Sequence, residues 1–504
     1  MGSRDISSLD QPSLERFRTE LIKIGFEPEQ GDIRVWTGPI SASFSDLTVA
    51  TTMRIVFVDG WPFRNPKLYV DGLDEWHLSA SGEVCLWALG AASDEWLSVD
   101  GFMRRIAEWA DRAKKGFRPE DFALDAHLSF GAIRVGAIAT VDIGSLRLDG
   151  KEGKVGVISG AWKDKDPVLQ IVPGSSKPIE GRWYYVGAVR VPPRNLAAAR
   201  ELLASNQRNN FDRRFRAVDK HGKPRLFLLA WDRDLGREAL VLHAEKHEES
   251  VVAEAIEVAP TDVEILKMRA GPDIGELSDK RVVVFGVGAV GSNLALRLAE
   301  VGIGELVVVD GDRLRPGDIV RHAALSYQVG DTKVAAVRLV AHFRAPWTKV
   351  RSVDGSSWNP DEIAKVVDGA DLVIDATGFA SFANLLSVVC RERAAPMVSV
   401  ALYRGGAIGR VRRQALPSDT PISGRGGDKA YPVIPPGDEP PSFEPGCSAP
   451  VNNASPIAVA SVAALAGHVA VDTLTGRNLY PDETIDVFRP LEISPFDQLG
   501  RIVR

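Results

Sequence analysis

The segment Gly286-Val-Gly288-Ala-Val-Gly291 constrains this chain more than any other. It follows Arg281–Phe285, a continuous apolar run behind a basic start, and it precedes a stretch rich in alanine and leucine. A second apolar run, Glu305–Val309, ends in Asp310. Strand, glycine turn, helix and strand in that order make a βαβ unit. The glycines allow a tight turn and a close approach of backbone to phosphate. The start of the following helix offers unpaired N–H groups and partial positive charge. An acidic residue at the end of the second strand is placed to bind ribose hydroxyls. On this pattern alone the chain would be an NAD(P)-dependent oxidoreductase.

The residues downstream point elsewhere. Asp312 follows Asp310, and the chain then runs through Arg315, Asp318, Arg321 and His322 to Lys333, which opens a helix. Later comes Ala370-Asp-Leu-Val-Ile-Asp375-Ala-Thr-Gly378. Arg321 and Lys333 supply more positive charge than a pyrophosphate needs, and suit a triphosphate. Asp375, at the C-terminal end of a strand, suits Mg²⁺. Cations around a phosphoryl centre with one carboxylate for a metal fit nucleotidyl transfer. Apolar runs at Leu372–Ile374 and Met397–Val400 extend the α/β sheet.

Over about residues 275–475 these motifs resemble the ubiquitin-activating, ThiF and MoeB superfamily of adenylating enzymes. The resemblance implies an ATP site in which Gly286, Gly288 and Gly291 form the phosphate turn. Asp310, with Asp312 in the same motif, would bind ribose, Arg321 and Lys333 phosphate, and Asp375 Mg²⁺. It also implies a homodimer, across which Arg269 resembles an arginine that reaches the nucleotide. There are departures. The family's N-L-x-R-Q reads Asp318-Ile-Val-Arg321-His322, which puts a carboxylate near the phosphates, and the zinc-binding cysteine pairs of many members are absent.

Cys85, Cys390 and Cys447 are the whole cysteine set, too few and too scattered for a disulfide framework. Cys447 ends a segment, 415–446, rich in Pro, Gly, Ser and Asp, and it precedes an expected helix, whose N-terminus lowers a thiol pKa. It resembles the acyl-accepting cysteine of activating enzymes. Cys390 lies on an apolar helical face and reads as core. Cys85 sits in Gly82-Glu-Val-Cys85-Leu, after Trp61-Pro-Phe-Arg-Asn-Pro66 and His77 and before Trp96. That order of motifs resembles ubiquitin-conjugating enzymes over most of residues 10–115, which implies that Cys85 carries a thioester. Their His-Pro-Asn is missing: His77 is followed by Leu78 and Ser79.

A chain of 504 residues exceeds one ordinary core. The expectation is a multidomain α/β and α+β protein. Residues 1–120 form a ubiquitin-conjugating-like α+β domain, 121–270 a β-rich linker domain, and 271–504 a Rossmann-like ThiF adenylation domain. In the first, helices are expected at Ser13–Ile24 and Val99–Ala113, with strands at Ile33–Trp36, Ser41–Ala50, Met53–Val58 and Lys67–Val70. In the second, strands are expected at Trp183–Val191 and Arg225–Trp231 around a helix at Leu196–Ser205. The apolar run Ile457–Leu474 contains Ser461, Gly467, His468 and Asp472, and reads as a packed helix. The net charge of −6, with no strongly basic stretch, gives no footprint for nucleic acid. Neither a membrane span nor a signal-peptide pattern stands out, so the expected compartment is the cytoplasm.

The resemblances together imply ATP-dependent adenylation of a protein's C-terminal carboxylate, transfer to Cys447, transfer to Cys85, and conjugation to a target protein, on lysine. The order of domains resembles bacterial fusion enzymes of anti-phage operons. In the CBASS type the activated partner is the C-terminus of a CD-NTase, and in another type it is a ubiquitin-like protein. A zinc-free activating half with a late cysteine inclines the reading to CBASS. A sulfur-carrier adenylyltransferase remains open, although it accounts for the C-terminal half alone.

Overall fold

A computed structural model describes residues 11–30, 32–87, 94–117, 125–163, 167–189, 191–233, 236–355, 357–425 and 453–503. The chain divides into two compact units, Met1–Asp262 and Val263–Arg504.

The first unit begins with the helix Gln11–Lys23. Phe17 and Leu21, four residues apart, bury one face of it completely. An antiparallel meander follows, in the order Glu27–Glu29, Asp32–Pro39, Thr52–Val56, Lys67–Tyr69 and Glu83–Val84. The helix Val99–Lys115 closes this part, capped by Ser98, whose hydroxyl accepts from the Gly101 N–H at 3.1 Å. Phe102, Ile106, Trp109 and Ala113 recur at helical spacing and pack with Phe17, Phe44 and Ile55. The stretch Ser41–Ala50, expected as a strand, is instead a 3₁₀ turn at Ala42–Phe44 and a loop. Ser41 accepts from the Ser43 N–H, and the Thr48 hydroxyl donates to the Asp71 carbonyl. Such local bonds compete with a strand ladder, and they let Phe44 turn into the core.

The rest of the first unit is a closed barrel of seven strands. Around the wall they run Arg225–Arg233, Gly236–His247, Ser250–Pro260, Ile133–Val141, Val168–Pro173, Val155–Trp162 and Ile179–Ala188. Alternation sorts the side chains. Leu226, Leu228 and Ala230 join Ala139, Ile158, Leu169, Trp183, Val241 and Ile256 from the other six strands in one cluster that fills the barrel. Phe227, Leu229 and Trp231 face the other way and pack with Phe211 and Val218 of the helix Ser205–His221. A shorter helix, Leu196–Glu201, precedes that one.

The second unit is a doubly wound sheet of eight strands. Its order is Lys349–Asp354, Glu305–Asp310, Arg281–Phe285, Leu372–Asp375, Met397–Tyr403, Ile408–Gln414, Glu483–Val487 and Gly500–Val503. The first five are parallel, and the last three join antiparallel. Val282, Val284, Leu306 and Val308 pack under the helices Ala289–Glu300, Lys333–Arg344 and Pro456–Leu474. The alternate residues Val283, Phe285, Val307 and Val309 pack under Pro360–Val367 and Ala380–Glu392. Strands buried on both faces explain the unbroken apolar runs in the sequence. Among the described residues Pro456–Leu474 alone is long and apolar enough to cross a membrane, and its Val462, Ala466 and Val469 are core residues here.

One buried ionic cluster locks the antiparallel side of this sheet. Arg413 donates Nε and Nη2 to the two oxygens of Asp419 at 3.0 Å each, and Nη1 to the Tyr480 carbonyl at 2.8 Å. Burial pushes the Asp419 carboxyl up, but Arg413 and the N–H groups of Leu416 and Ala415 outweigh it and hold the group below its ordinary value. Arg413→Leu should therefore cost about 3–5 kcal/mol in denaturant unfolding, because it leaves buried carboxylate behind. A folded pKa below the unfolded one stabilises at pH values above the ordinary carboxylate range. The difference between wild type and variant should shrink as the pH falls below the ordinary carboxylate range and through Asp419's lowered value.

Candidate functional site

Strand order places the site. From Arg281–Phe285 the chain builds outward first to Glu305–Asp310 and Lys349–Asp354, then returns to the other side with Leu372–Asp375. The reversal opens a crevice at the carboxyl ends of these strands, the place where open α/β sheets take ligands. The glycine turn lies there. Gly286 has φ +79°, and a Cβ on it would stand 2.8 Å from the Thr377 backbone. At Gly291 a Cβ would fall 1.8 Å from the Gly286 carbonyl oxygen. A Cβ on Gly288, at the cap of the helix Ala289–Glu300, would meet nothing within 4 Å. Two glycines are thus required by packing, and the third keeps the helix start open.

Asp310 holds this turn from the neighbouring strand. Its Oδ2 accepts from the Val287 N–H at 2.8 Å and its Oδ1 from the Asp312 N–H at 2.8 Å. Each oxygen keeps a lone pair for a further donor. Asp312 in turn accepts from Lys333 Nζ at 2.9 Å. Burial lowers the Lys333 ammonium pKa, but Asp312, Asp310 and Asp318 outweigh that and hold it above its ordinary value, so it is charged. Lys333 opens its helix behind the cap Thr332, whose hydroxyl accepts from the Ala335 N–H. Asp318, the departure from the superfamily's asparagine, accepts from the Arg315 N–H at 2.8 Å and closes a 3₁₀ turn.

Arg321 follows that turn. Its Nη1 donates to the Ala454 carbonyl at 3.2 Å, just before the helix Pro456–Leu474, and its own carbonyl accepts from Asn293 Nδ2 at 2.8 Å. His322 is buried. Its Nδ1 accepts from the Ala324 N–H and its Nε2–H donates to the Val287 carbonyl at 2.7 Å. Burial lowers its pKa, so the ring is a neutral strut between the arginine segment and the glycine turn.

Asp375 lies across the crevice, with only 2% of its surface exposed. Oδ1 accepts from the Thr377 hydroxyl at 2.7 Å and the Thr377 N–H at 3.2 Å, and Oδ2 accepts from the Ser399 hydroxyl at 2.9 Å. Burial raises its pKa, and these bonds together with the Arg410 charge only partly offset it. No group of three or more His, Cys, Asp or Glu side chains fit for a metal occurs among the described residues. A lone carboxylate fits Mg²⁺ held largely by water and substrate phosphates, and does not fit a protein cage. Asn293, His322, Thr377 and Ser399 carry the support of this site; His322 stands in the arginine motif and Thr377 in the D-A-T-G segment, whereas Asn293 and Ser399 lie outside the motifs read from the sequence.

In the first unit Cys85 follows the short strand Glu83–Val84 and is partly exposed. Its N–H donates to the His77 carbonyl at 2.8 Å. Burial, and then the Glu83 carboxylate, push its thiol up to about 11. His77 is itself buried, its ring 4.3 Å from that of Phe117. Trp96 is core and donates to the Pro62 carbonyl. Cys390 is wholly buried, with its thiol pushed up to about 12. Cys447 lies outside the described residues.

Two expectations follow. Gly291→Ala should destabilise the protein by about 1–3 kcal/mol in denaturant unfolding, whereas Gly288→Ala should cost less than about 0.5 kcal/mol. Alkylation of native Cys85 by iodoacetamide should be very slow at pH 7 and should rise about tenfold per pH unit until near its pKa, while Cys390 stays unlabelled.

Residues 266–497 match the model of the ThiF family. An uncharacterized protein, y4qC, of Sinorhizobium fredii is 31% identical over 150 residues, 27% of this chain and 26% of that one. The SAMP-activating enzyme E1 of Haloferax volcanii is 33% identical over 142 residues, 28% of this chain and 52% of that enzyme. The ATP-dependent ubiquitin transferase-like protein Cap2 of Vibrio cholerae is 28% identical over 149 residues, 29% of this chain and 25% of that protein. The matched stretches span from about a quarter to about half of these relatives. With its glycine turn at the reversal of a doubly wound sheet, the second unit of this chain holds the stretch that matches the ThiF family model.

Proposed function

We propose that the second unit adenylates the C-terminal carboxylate of a protein with ATP, and that the acyl group then passes through Cys447 to Cys85 and on to a target amine. One observation carries this reading: Asp310 holds the glycine turn, Lys333 pairs with Asp312 of the same motif, Gly286 packs on Thr377 beside Asp375, and His322 ties the Arg321 segment to Val287. That set offers ribose recognition, cations for a triphosphate and one buried carboxylate for a metal. The names of the archaeal activating enzyme and of the vibrio transferase-like protein support it.

The carboxylate oxygen attacks the α-phosphorus, the bond to the β-phosphate oxygen breaks, and pyrophosphate leaves. Gly286, Gly288 and the helix start hold the phosphates, and Lys333 and Arg321 balance their charge. Asp310 accepts from the ribose, in a motif shared with Asp312. Asp375 would hold Mg²⁺, which when bound neutralises charge on the phosphate oxygens. A thiol, assigned to Cys447, then displaces AMP to form a thioester. Exchange with Cys85 moves the acyl group to its sulfur and returns a proton to Cys447. A lysine amine finally displaces the Cys85 thiolate and leaves an amide. Each covalent transfer replaces one hard step with easier ones. The meander and flanking helices around Cys85 support a conjugating-type reading of residues 1–120. The high thiol pKa suits a carrier that stays protonated until loaded. We place the reaction in the cytoplasm, in a homodimer, in anti-phage defence. The activated protein is a CD-NTase or a ubiquitin-like protein.

The test is ATP–pyrophosphate exchange together with non-reducing electrophoresis, using proteins encoded beside the gene as substrates. Lys333→Ala and Asp375→Ala should each lower exchange by roughly 10²–10³-fold, as removal of a charge-stabilising group does. A reductant-sensitive adduct should form with ATP, vanish in Cys447→Ala and stop on Cys447 in Cys85→Ala. Exchange without any adduct would leave a sulfur-carrier type of adenylyltransferase. Absence of exchange with every substrate would overturn adenylation itself.

A further inference from the structure

The first unit holds an arginine cluster that the adenylation chemistry does not use. Arg182 lies on the barrel strand Ile179–Ala188 and Arg225 begins the neighbouring parallel strand. Arg214 comes from the helix Ser205–His221, which is fixed over that strand by Phe211 packing on Phe227 with ring centroids 4.6 Å apart. The three side chains line a cavity of about 10 Å³ together with Glu180 and Phe227. Glu180 pairs with Arg225 and lies 4.0 Å from Arg214 Nη1. Arg182 makes a hydrogen bond to the Gly181 carbonyl at 2.8 Å. The Nε atoms of Arg214 and Arg225 are buried and have no hydrogen-bond partner.

Three positive charges thus face one carboxylate, a surplus of two. Gathering unpaired like charges at a partly buried site is costly unless an anion completes it. Burial, and next the neighbouring Arg214, hold the Arg182 guanidinium below its ordinary value, and Glu180 only partly opposes them.

We propose that Arg182, Arg214 and Arg225 bind a phosphate dianion, as a phosphate monoester or as free phosphate. Charge selects this ligand. A phosphate monoester carries about −1.5 to −2 at pH 7 and matches the surplus, whereas a single carboxylate would leave it half met. Guanidinium forks present paired N–H groups that suit phosphate oxygens. A cavity of this size takes one oxygen. The remaining oxygens, with any ester chain, stay toward solvent beside the exposed Glu180.

The test is modification of the full-length chain by phenylglyoxal, read arginine by arginine by peptide mass spectrometry. That readout separates this cluster from Arg321 in the second unit. Inorganic phosphate, O-phosphoserine and acetate are compared at one ionic strength. For a Kd of about 1 mM, about 10 mM phosphate should slow modification of Arg182 and Arg214 roughly tenfold. Acetate should have little effect. Protection by O-phosphoserine as well identifies a monoester ligand, and protection by inorganic phosphate alone identifies free phosphate. Glu180→Gln, a change at an exposed position, should strengthen protection at Arg214. Arg182→Gln should weaken it severalfold, with Arg182→Lys in between. Unchanged reactivity in both phosphates, or equal protection by acetate, would overturn the proposal.

Discussion

The second unit depends on the contact between the Gly286 carbonyl and the backbone of Gly291. The oxygen lies where a side chain would begin. This closeness lets the helix Ala289–Glu300 start directly on the end of the strand Arg281–Phe285. The helix axis, and with it the free N–H groups of its first turn, is thereby aimed at the crevice. Gly286 fits against Thr377 in the same way, so the turn is joined at once to its own helix and to the strand that carries Asp375. In the proposed reading, phosphate affinity and core packing therefore draw on the same few atoms.

Around that turn, charged residues hold the backbone as well as face the crevice. Asp310 accepts two N–H groups, Asp318 closes a turn, and Asp375 is surrounded by hydroxyl and amide donors. The neutral His322 ties the arginine segment back to Val287. A carboxylate already hydrogen-bonded needs little rearrangement when a ligand arrives, and this preorganisation is what electrostatic stabilisation of phosphoryl chemistry relies on. The cost is burial of polar groups. It is tolerable because nearly every such group at the site has a partner within the unit.

In the first unit the physical problem differs. Cys85 sits where burial and the Glu83 carboxylate both oppose its ionisation. The barrel that follows separates its side chains cleanly into a filled interior and an outer face under one helix. That helix is polar and arginine-rich, and it gathers cationic side chains where the outer face meets solvent.

The α/β character of the second unit was legible in the sequence. Apolar runs long enough for strands buried on both faces, punctuated by a glycine turn, admit few other folds. Asp310 and Asp375 stand at strand ends and Lys333 at a helix start, positions that local patterns mark, whereas Arg321 follows a 3₁₀ turn and was read from a motif. Ser41–Ala50 was misread because its alternation resembles a strand, while Ser41 and Thr48 form short-range bonds that no periodicity records. The barrel could not be anticipated, since closure depends on pairing strands far apart in sequence, such as Ile133–Val141 with Ser250–Pro260. The arginine cluster belongs to the same class, because Arg182, Arg214 and Arg225 are unremarkable singly and meet only when strand register and a helix crossing bring them together. Local chemistry and element type were thus determined by sequence, whereas which charges face one another was decided by tertiary structure, because that depends on register and packing between distant segments.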